Sequence, residues 1–589
     1  MTPGQLWQKF ATPIRREWPM LAACTLFLAP VCFIGLLKQA AGFDAAIALR
    51  DAAGMLRALF CAYILTAIAS ASGNVAIKWA IYTITLVSCI LAATAYYMFG
   101  MDISPRMFTL LAETGKAETA SFFKSFIGLE MAASAAACIF GIITFAVAER
   151  HIRRPAGAFA TSAVSVLVIA GGILFTEKTA TIMRANDSRQ IEACFPGYHS
   201  DNPTKTFYSL HAVSLMSDEN ARWTKRLLTD AADHALATDT IPGDTLDIVL
   251  IIGESHIRNH SQLYGYPLSV TPFQTAEARA GRLVAFDSVT AVSRYTSGVM
   301  RSALSLASHL DGEAPADGAF LPLLFKKAGW EVYFLDNQHA GDDVISSYTL
   351  NGFLYNDAAM RHAYTYTSTY SNPHDDLDFV RHEQAATAQE SRQHAKRLWI
   401  YHLWGQHLDP ADRYPGTDSC RVFGKGHYGF RREPWLSAAT RQRIADYDNA
   451  TLHNDRTIKA ILTAHKNRPI IAIYFSDHGE EVYDFRNAYG RIGAHDSMSD
   501  RTAIKKYIDA LYGVPFEIWC SDAYIARHPG ALESIKRHIM RPATTDLVGH
   551  TLLNLSGISS PAYRPDLDML NPAYRPRHGM TPSRLGQAE

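Results

Sequence analysis

The sequence predicts a chain in two parts. Residues 1–176 form an α-helical transmembrane region of five spans, and residues 246–589 form a soluble α/β domain with a mainly parallel central sheet. A linker with bridging helices joins them over 177–245. Three observations carry this reading. Five long apolar stretches all fall before residue 176. Only His151 and His199 precede position 200, so 21 of the 23 histidines lie beyond it. After residue 245, short apolar runs alternate with helical patterns, as strands and covering helices do.

A helix needs roughly 20 largely apolar residues to cross the hydrocarbon layer. Residues 19–37, 54–72, 78–99, 127–148 and 157–175 qualify. The first is long for a signal sequence and four similar segments follow it, so it reads as an uncleaved span. Segment 103–126 is too charged to cross, but Met107, Leu110, Leu111, Phe122, Phe123 and Phe126 suit it to the outer interface. Lys9, Arg15 and Arg16 precede span one, Lys78 opens span three, and Arg150, Arg153 and Arg154 separate spans four and five. Placing these cationic residues in the cytoplasm puts the N-terminus inside and everything after 176 outside.

The whole chain carries 56 Lys+Arg against 56 Asp+Glu, and 19% of its residues are charged. That balance excludes a nucleic-acid binder, which needs a basic surplus. Cys194, Cys420 and Cys520 face the oxidising side, enough for one disulfide at most.

In the soluble part the predicted strands are 246–252, 331–335, 397–403, 469–475 and 514–519. The predicted helices include 299–310, 318–329 and 436–465. Polar residues collect just after the strands: Gly253-Glu254-Ser255, Asp336-Asn337-Gln338, Gly405-Gln406-His407 and Ser476-Asp477-His478-Gly479-Glu480. Ligands of open α/β sheets bind outside the carboxyl ends of the strands, where such loops converge. Glu254, Asp477 and His478 offer hard oxygens and an imidazole, a set suited to zinc or manganese. Thr296 precedes an apolar helix, where a hydroxyl serves as an N-cap or, beside a metal, as a nucleophile. His402, His407 and His495 flank the same region and can hold a phosphate or act as acid and base.

The run IVLIIGESHIRNHSQLYGYPLSVTPF resembles the opening motif of the membrane phosphoethanolamine transferases, within the alkaline phosphatase/sulfatase superfamily. Further matches follow in order: FKKAGWEVYFLDNQ (325–338), HLWGQH (402–407), ADYDNATLHND (445–455) and IAIYFSDHGEEVYD (471–484). The resemblance implies an alkaline phosphatase/sulfatase-like fold and a zinc site made by Glu254, Thr296, Asp477 and His478, with Thr296 as nucleophile. One zinc ion is implied, and a second is compatible with bound substrate. His407, His495 and His402 match positions near the substrate phosphate, and Glu113 matches a residue of the interfacial segment. Phosphatidylethanolamine is the implied donor and lipopolysaccharide, on a core sugar or lipid A, the implied acceptor. The implied setting is a Gram-negative inner membrane with the catalytic domain in the periplasm.

The stretch RYTSGVMRSALS lacks the Pro-Cys that follows the nucleophile in the lipid A-modifying branch, and the domain has fewer cysteines than that branch. Both departures lean toward the subgroup acting on core sugars. Glycerol-phosphate transfer, and hydrolysis by a sulfatase or phosphodiesterase, remain open within the superfamily. A sulfatase would need a Cys/Ser-x-Pro-x-Arg motif, which does not surround Thr296. An inactive envelope scaffold would have no reason to keep all four of Glu254, Thr296, Asp477 and His478.

The cation distribution makes a direct prediction about topology. Reporter fusions after residue 176 should be active outside the cytoplasm, and fusions near 75 or 153 inside. A cytoplasmic signal at residue 300 would overturn the arrangement.

Overall fold

The structure, a computed structural model, describes residues 17–29, 45–71, 74–99, 129–152, 177–186, 202–229, 237–240, 245–338, 357–388, 396–464 (except 408 and 418), 468–491 and 501–579, with isolated positions elsewhere. Glu113, His495 and the predicted span 157–175 lie outside the described residues. The described residues divide into two compact units, one up to Asp218 and one from Glu219 onward.

The first unit is helical: α1 (Trp18–Leu28), α2 (Ala45–Ala71), α3 (Val75–Phe99), α4 (Leu129–Arg150) and α5 (Glu177–Arg184), followed by α6 (Asn202–Thr229), inside which the division falls. Among the described residues three helices are long and apolar enough to cross a membrane, over Ala52–Ala69, Val75–Ala95 and Ala132–Arg150. Three of the five predicted spans therefore have a full-length helix. Only an 11-residue piece of the first is described. Buried alanines such as Ala58, Ala62 and Ala69 let helices approach closely. Phe145 stacks on Tyr82 with centroids 5.0 Å apart. Near their ends α3 and α4 are tied by an ion pair, Lys78 Nζ to Glu149 Oε1 at 2.6 Å, and Tyr82 donates to the other Glu149 oxygen.

The second unit is built on a seven-stranded sheet. Its strands are β1 (Asp247–Gly253), β2 (Leu283–Ala285), β3 (Glu331–Asp336), β4 (Tyr366–Thr367), β5 (Arg397–His402), β6 (Ile470–Ser476) and β7 (Phe516–Cys520), in the spatial order β2-β7-β6-β1-β5-β3-β4. β1, β3, β4, β5 and β6 run parallel. β7 is reversed and pairs antiparallel with both β6 and β2, so the predicted strand 514–519 makes the sheet mixed. All five predicted strands form within one or two residues of their expected bounds. Their composition explains why: β-branched and aromatic residues fill a pleated surface that is covered on both faces. Ile248, Leu250 and Ile252 enter one core with Val332, Phe334, Ile400 and Ile473, whereas Val249 and Ile251 enter the other with Tyr333, Trp399 and Tyr474. Each such aliphatic burial stabilises by about 1.5–3 kcal/mol.

Around the sheet lie α7 (Pro272–Arg279), α8 (Thr296–Ala303), α9 (Leu321–Lys327), α10 (Asp376–Thr387), α11 (Ala438–Ala464) and α12 (Arg501–Tyr512). The helix predicted over 299–310 starts three residues earlier and ends at Ala303. Ser305 leaves it to bridge Phe320 in an antiparallel contact, so tertiary pairing overrides local helical preference. The linker adds a short strand, Thr238–Asp239, paired with Ile558–Ser559. The tail beyond 560 is irregular as expected, yet it buries Leu567, Met569 and Tyr574 in the core. Among the described residues no disulfide joins Cys194, Cys420 or Cys520.

Helix α11 carries a buried polar face. Asp455 accepts from the backbone N–H groups of Phe273 and Gln274 at 2.8 and 3.0 Å at the N-terminus of α7, and burial pushes its carboxyl up to about 7. Asp448 accepts from Tyr266, Tyr428 and His260. Burial works against charge on His260, but Asp484 and Asp448 outweigh it and lift its pKa to about 9.

On β7, Glu517 accepts from Gln274 Nε2 at 2.7 Å, and burial pushes its carboxyl up to about 8. The folded protein therefore keeps a proton on Glu517 that the unfolded chain releases near the ordinary value of 4.5. This contribution to stability is complete below the unfolded pKa and is lost as pH rises through about 8, at on the order of 1 kcal/mol per pH unit. Glu517→Gln should match the wild type near the lower bound and become progressively the more stable as pH approaches the upper one. Thermal unfolding of the solubilised protein across that window checks it, and a difference that does not change with pH would refute it.

Candidate metal and phosphoryl-transfer site

The site forms where β1 and β6 end side by side. Gly253 pairs with Ser476, which places Glu254 and Asp477 on adjacent chains as they leave the sheet. Ser255 N–H donates to Asp477 Oδ1 at 3.0 Å and Ser255 Oγ donates to Glu254 Oε1 at 2.8 Å. Ser255 adopts φ 58°, a left-handed conformation unusual for a non-glycine residue, and it stores local strain at this turn. Gly405, at φ +49°, passes so close that a β-carbon would lie 2.6 Å from the Glu254 carbonyl oxygen. Only glycine fits there.

Glu254, Asp477 and His478 are buried, and one ligand atom from each lies within 4.8 Å of the others. His478 Nε2 is 3.1 Å from Asp477 Oδ2 and 3.3 Å from Glu254 Oε1. His478 Nδ1 bonds the Gly479 carbonyl at 2.8 Å, which fixes the tautomer and aims the Nε2 lone pair inward. Among the described residues no donor serves Asp477 Oδ2. Burial, then the charge of Glu254, drives the Asp477 carboxyl well above its usual range. Burial also penalises charge on Glu254, but His478, His407 and Arg491 outweigh it and hold that carboxyl low. The His478 imidazole is lowered by burial and by Arg491. Two carboxylates and a lone pair converging on one point fit a divalent cation, and oxygen and imidazole donors suit zinc.

Thr296 completes the group. It is the first residue of α8, with Tyr295 at the N-cap, so its hydroxyl is not used in capping. Instead Thr296 Oγ1 donates to Glu254 Oε2 at 2.9 Å and lies 3.4 Å from His478 Nε2. Thr296 is partly exposed while the three possible metal ligands are buried, which leaves its oxygen as the reachable atom. Gln338, after β3, donates to Glu254 Oε2 at 3.2 Å and to the Leu403 carbonyl at 2.7 Å.

The remaining predicted residues separate. His407 sits beside the site: its Nε2 is 3.4 Å from Arg491 Nη2, and burial lowers its pKa to about 3. Its loop is pinned by Asp376, which accepts from the Trp404 and Gly405 N–H groups, and by Arg413, which donates to the His407 carbonyl and stacks on Trp404. His402 is fully buried, with Nδ1 held 2.8 Å from Asp336 Oδ1, so it supports the strand end rather than opening to a ligand. Burial opposes protonation of His402, but Asp336 raises its pKa overall. His495 and Glu113 lie outside the described residues.

Sequence reasoning missed Arg491. Its Nη1 reaches His478 Nε2 at 2.8 Å, from the end of a hairpin in which Glu481–Val482 pairs with Tyr489–Gly490. No spacing rule marks it. A positive residue soon after an Asp-His pair was the available signal.

With this geometry established, comparison with known proteins places the chain. The sulfatase family matches residues 247–558, more than half of its length. The phosphoethanolamine transferase EptC of Escherichia coli K12 is 25% identical over 511 residues, covering 84% of this chain and 82% of that protein. The phosphoethanolamine transferase CptA of Salmonella typhimurium LT2 is 25% identical over 527 residues, covering 85% and 84%. The integral membrane lipooligosaccharide phosphoethanolamine transferase A (EptA) of Neisseria meningitidis shares the fold, with a TM-score of 0.61 and 16% identity over 94% of this chain and 98% of that one. An N-terminal helical membrane region followed by a sulfatase-like α/β domain is thus the architecture of this chain. The chain belongs to the sulfatase family and, within it, to the membrane phosphoethanolamine transferases.

Proposed function

We propose that the chain transfers phosphoethanolamine from phosphatidylethanolamine to lipopolysaccharide, on a core sugar or lipid A, through a phosphothreonine at Thr296. The observation that carries this reading is the Thr296 hydroxyl, 2.9 Å from Glu254 and 3.4 Å from His478, at the open edge of a buried ligand cluster. Relatives matched over more than four-fifths of the chain are named phosphoethanolamine transferases.

Glu254, Asp477, His478 and Thr296 would hold zinc. Bound there, zinc would supply the positive charge that lowers the pKa of the hydroxyl and offsets charge on the phosphoryl oxygens. The Thr296 oxygen attacks phosphorus and the bond from phosphorus to the diacylglycerol oxygen breaks. That oxygen takes up the proton given up by the Thr296 hydroxyl and leaves as diacylglycerol. Thr296 is the first residue of α8, so the positive end of that helix dipole would also favour the phosphoryl group. The acceptor hydroxyl or phosphate then attacks the phosphothreonine and restores Thr296, a ping-pong course. His407 is neutral by virtue of its burial and offers a lone pair beside the group. His495 and Glu113 are assigned to substrate binding by resemblance, and His402 to support of the strand end.

In this reading residues 1–176 anchor the protein in the inner membrane with the N-terminus in the cytoplasm. Residues 177–245 link the anchor to a periplasmic catalytic domain over 246–589.

Thr296→Ala should reduce transfer by roughly 10³-fold or more while the protein stays folded. Asp477→Ala and His478→Ala should each strip most of the bound zinc, measured by elemental analysis. Intact-mass analysis after incubation with donor alone should show one added phosphoethanolamine unit, mapped to Thr296. An adduct on Ser297, transfer by Thr296→Ala, or unchanged zinc in both ligand variants would each break the scheme.

A further inference from the structure

We infer that Arg491 is the phosphate-binding cation of this site: its guanidinium lies between His478 and His407 and binds the substrate phosphoryl group there. The assignment rests on the transferase reading above and adds a residue to it.

Three contacts place the guanidinium. Arg491 Nη1 is 2.8 Å from His478 Nε2, Nη2 is 3.4 Å from His407 Nε2, and Nε is 3.8 Å from Glu480 Oε2. His478 gives its Nδ1 proton to the Gly479 carbonyl, so its Nε2 is the acceptor that faces Arg491. Arg491 thus spans the gap between the proposed metal ligand and the loop of His407, where a group attached to Thr296 would lie.

The backbone under Arg491 is held from two directions. The short hairpin sets Gly490 opposite Glu481, and Gly490 turns there at φ +101°. Arg294, two residues before Thr296, reaches the Arg491 carbonyl with Nη1 at 3.4 Å and donates to the Tyr507 hydroxyl at 2.7 Å. The segment that carries the nucleophile therefore also locates the arginine.

Charge decides what the arginine is for. Two carboxylates cancel a divalent cation, so the ligand set offers no net attraction to a phosphodiester anion. The attacking threonine oxygen adds further negative charge. A fixed guanidinium supplies the missing cation, and its planar fork matches two phosphoryl oxygens at once. The other described guanidinium groups nearby are engaged elsewhere. Arg413 is stacked on Trp404, Arg486 is paired with Glu481, and Arg443 lies over the Tyr489 ring.

Arg491→Gln and Arg491→Lys in the full-length solubilised protein test this. Zinc content is measured first, then affinity of the zinc-loaded protein for inorganic phosphate by calorimetry, then KM and kcat for phosphatidylethanolamine. Zinc should stay at the wild-type level in both variants, because Arg491 is not among the residues that would hold it. Phosphate affinity should fall about tenfold or more in Arg491→Gln, with KM rising in parallel, and Arg491→Lys should recover part of it as a point charge. Undiminished phosphate affinity in Arg491→Gln, with an active wild type, would overturn the assignment alone. Loss of zinc along with phosphate would overturn it too, by showing that Arg491 only props the metal ligands. A wild-type protein that holds zinc but neither binds phosphate nor transfers would sink the transferase reading itself.

Discussion

Two carboxylates and an imidazole lone pair are held within a few ångströms of one another at a point that water does not reach. Such a convergence is repulsive unless a cation or a proton lies between the groups. Its cost falls on the fold, which must force the acceptors together and keep them there. The means are visible in the structure. Paired parallel strands end at the same level, the Ser255 turn is strained, and the Ser255 N–H and hydroxyl tie Asp477 to Glu254.

The polar face of α11 extends that control outward. Tyr447 bonds the Ser255 carbonyl and the Ile257 N–H, Thr451 accepts from Gln406, and His453 pairs with Asp375 at the start of α10. One rigid helix thus references the loops after β1 and β5 and the cap of α10 to a common frame. Buried hydrogen-bonded networks of this kind favour a single geometry, because each half-made bond would strand a polar group away from water. Precision at the reacting oxygen is therefore set well behind it.

Much of this was legible in the sequence. Strands announced themselves by unbroken apolar runs, and the loops after them by sudden polarity, so Glu254, Asp477 and His478 could be brought together before any coordinates. The direction of β7 could not. Phe516–Cys520 packs equally well running either way, and only its pairing with β2 and β6 decides. The early end of α8 was hidden for a related reason, since the bridge from Ser305 to Phe320 is not encoded near Ala303. Arg491 was invisible because its importance comes from a hairpin that folds back on the site, and arginine after a turn is ordinarily a solvated surface group. The buried polar residues of α11 stood out as a motif, but their task as scaffold needed the partners to be seen.

The ion pair between Lys78 and Glu149 bears on how the helical unit reaches the bilayer. A lone lysine or acid in a spanning helix costs about 2.5–3.5 kcal/mol near the bilayer centre and less toward its edge. With Lys78 Nζ 2.6 Å from Glu149 Oε1 and Tyr82 on the second oxygen, α3 and α4 present a neutral, internally satisfied unit to lipid. Separated, each would expose its own charge. The two helices are thus better solutes together than apart, because their contact satisfies both charges within the unit.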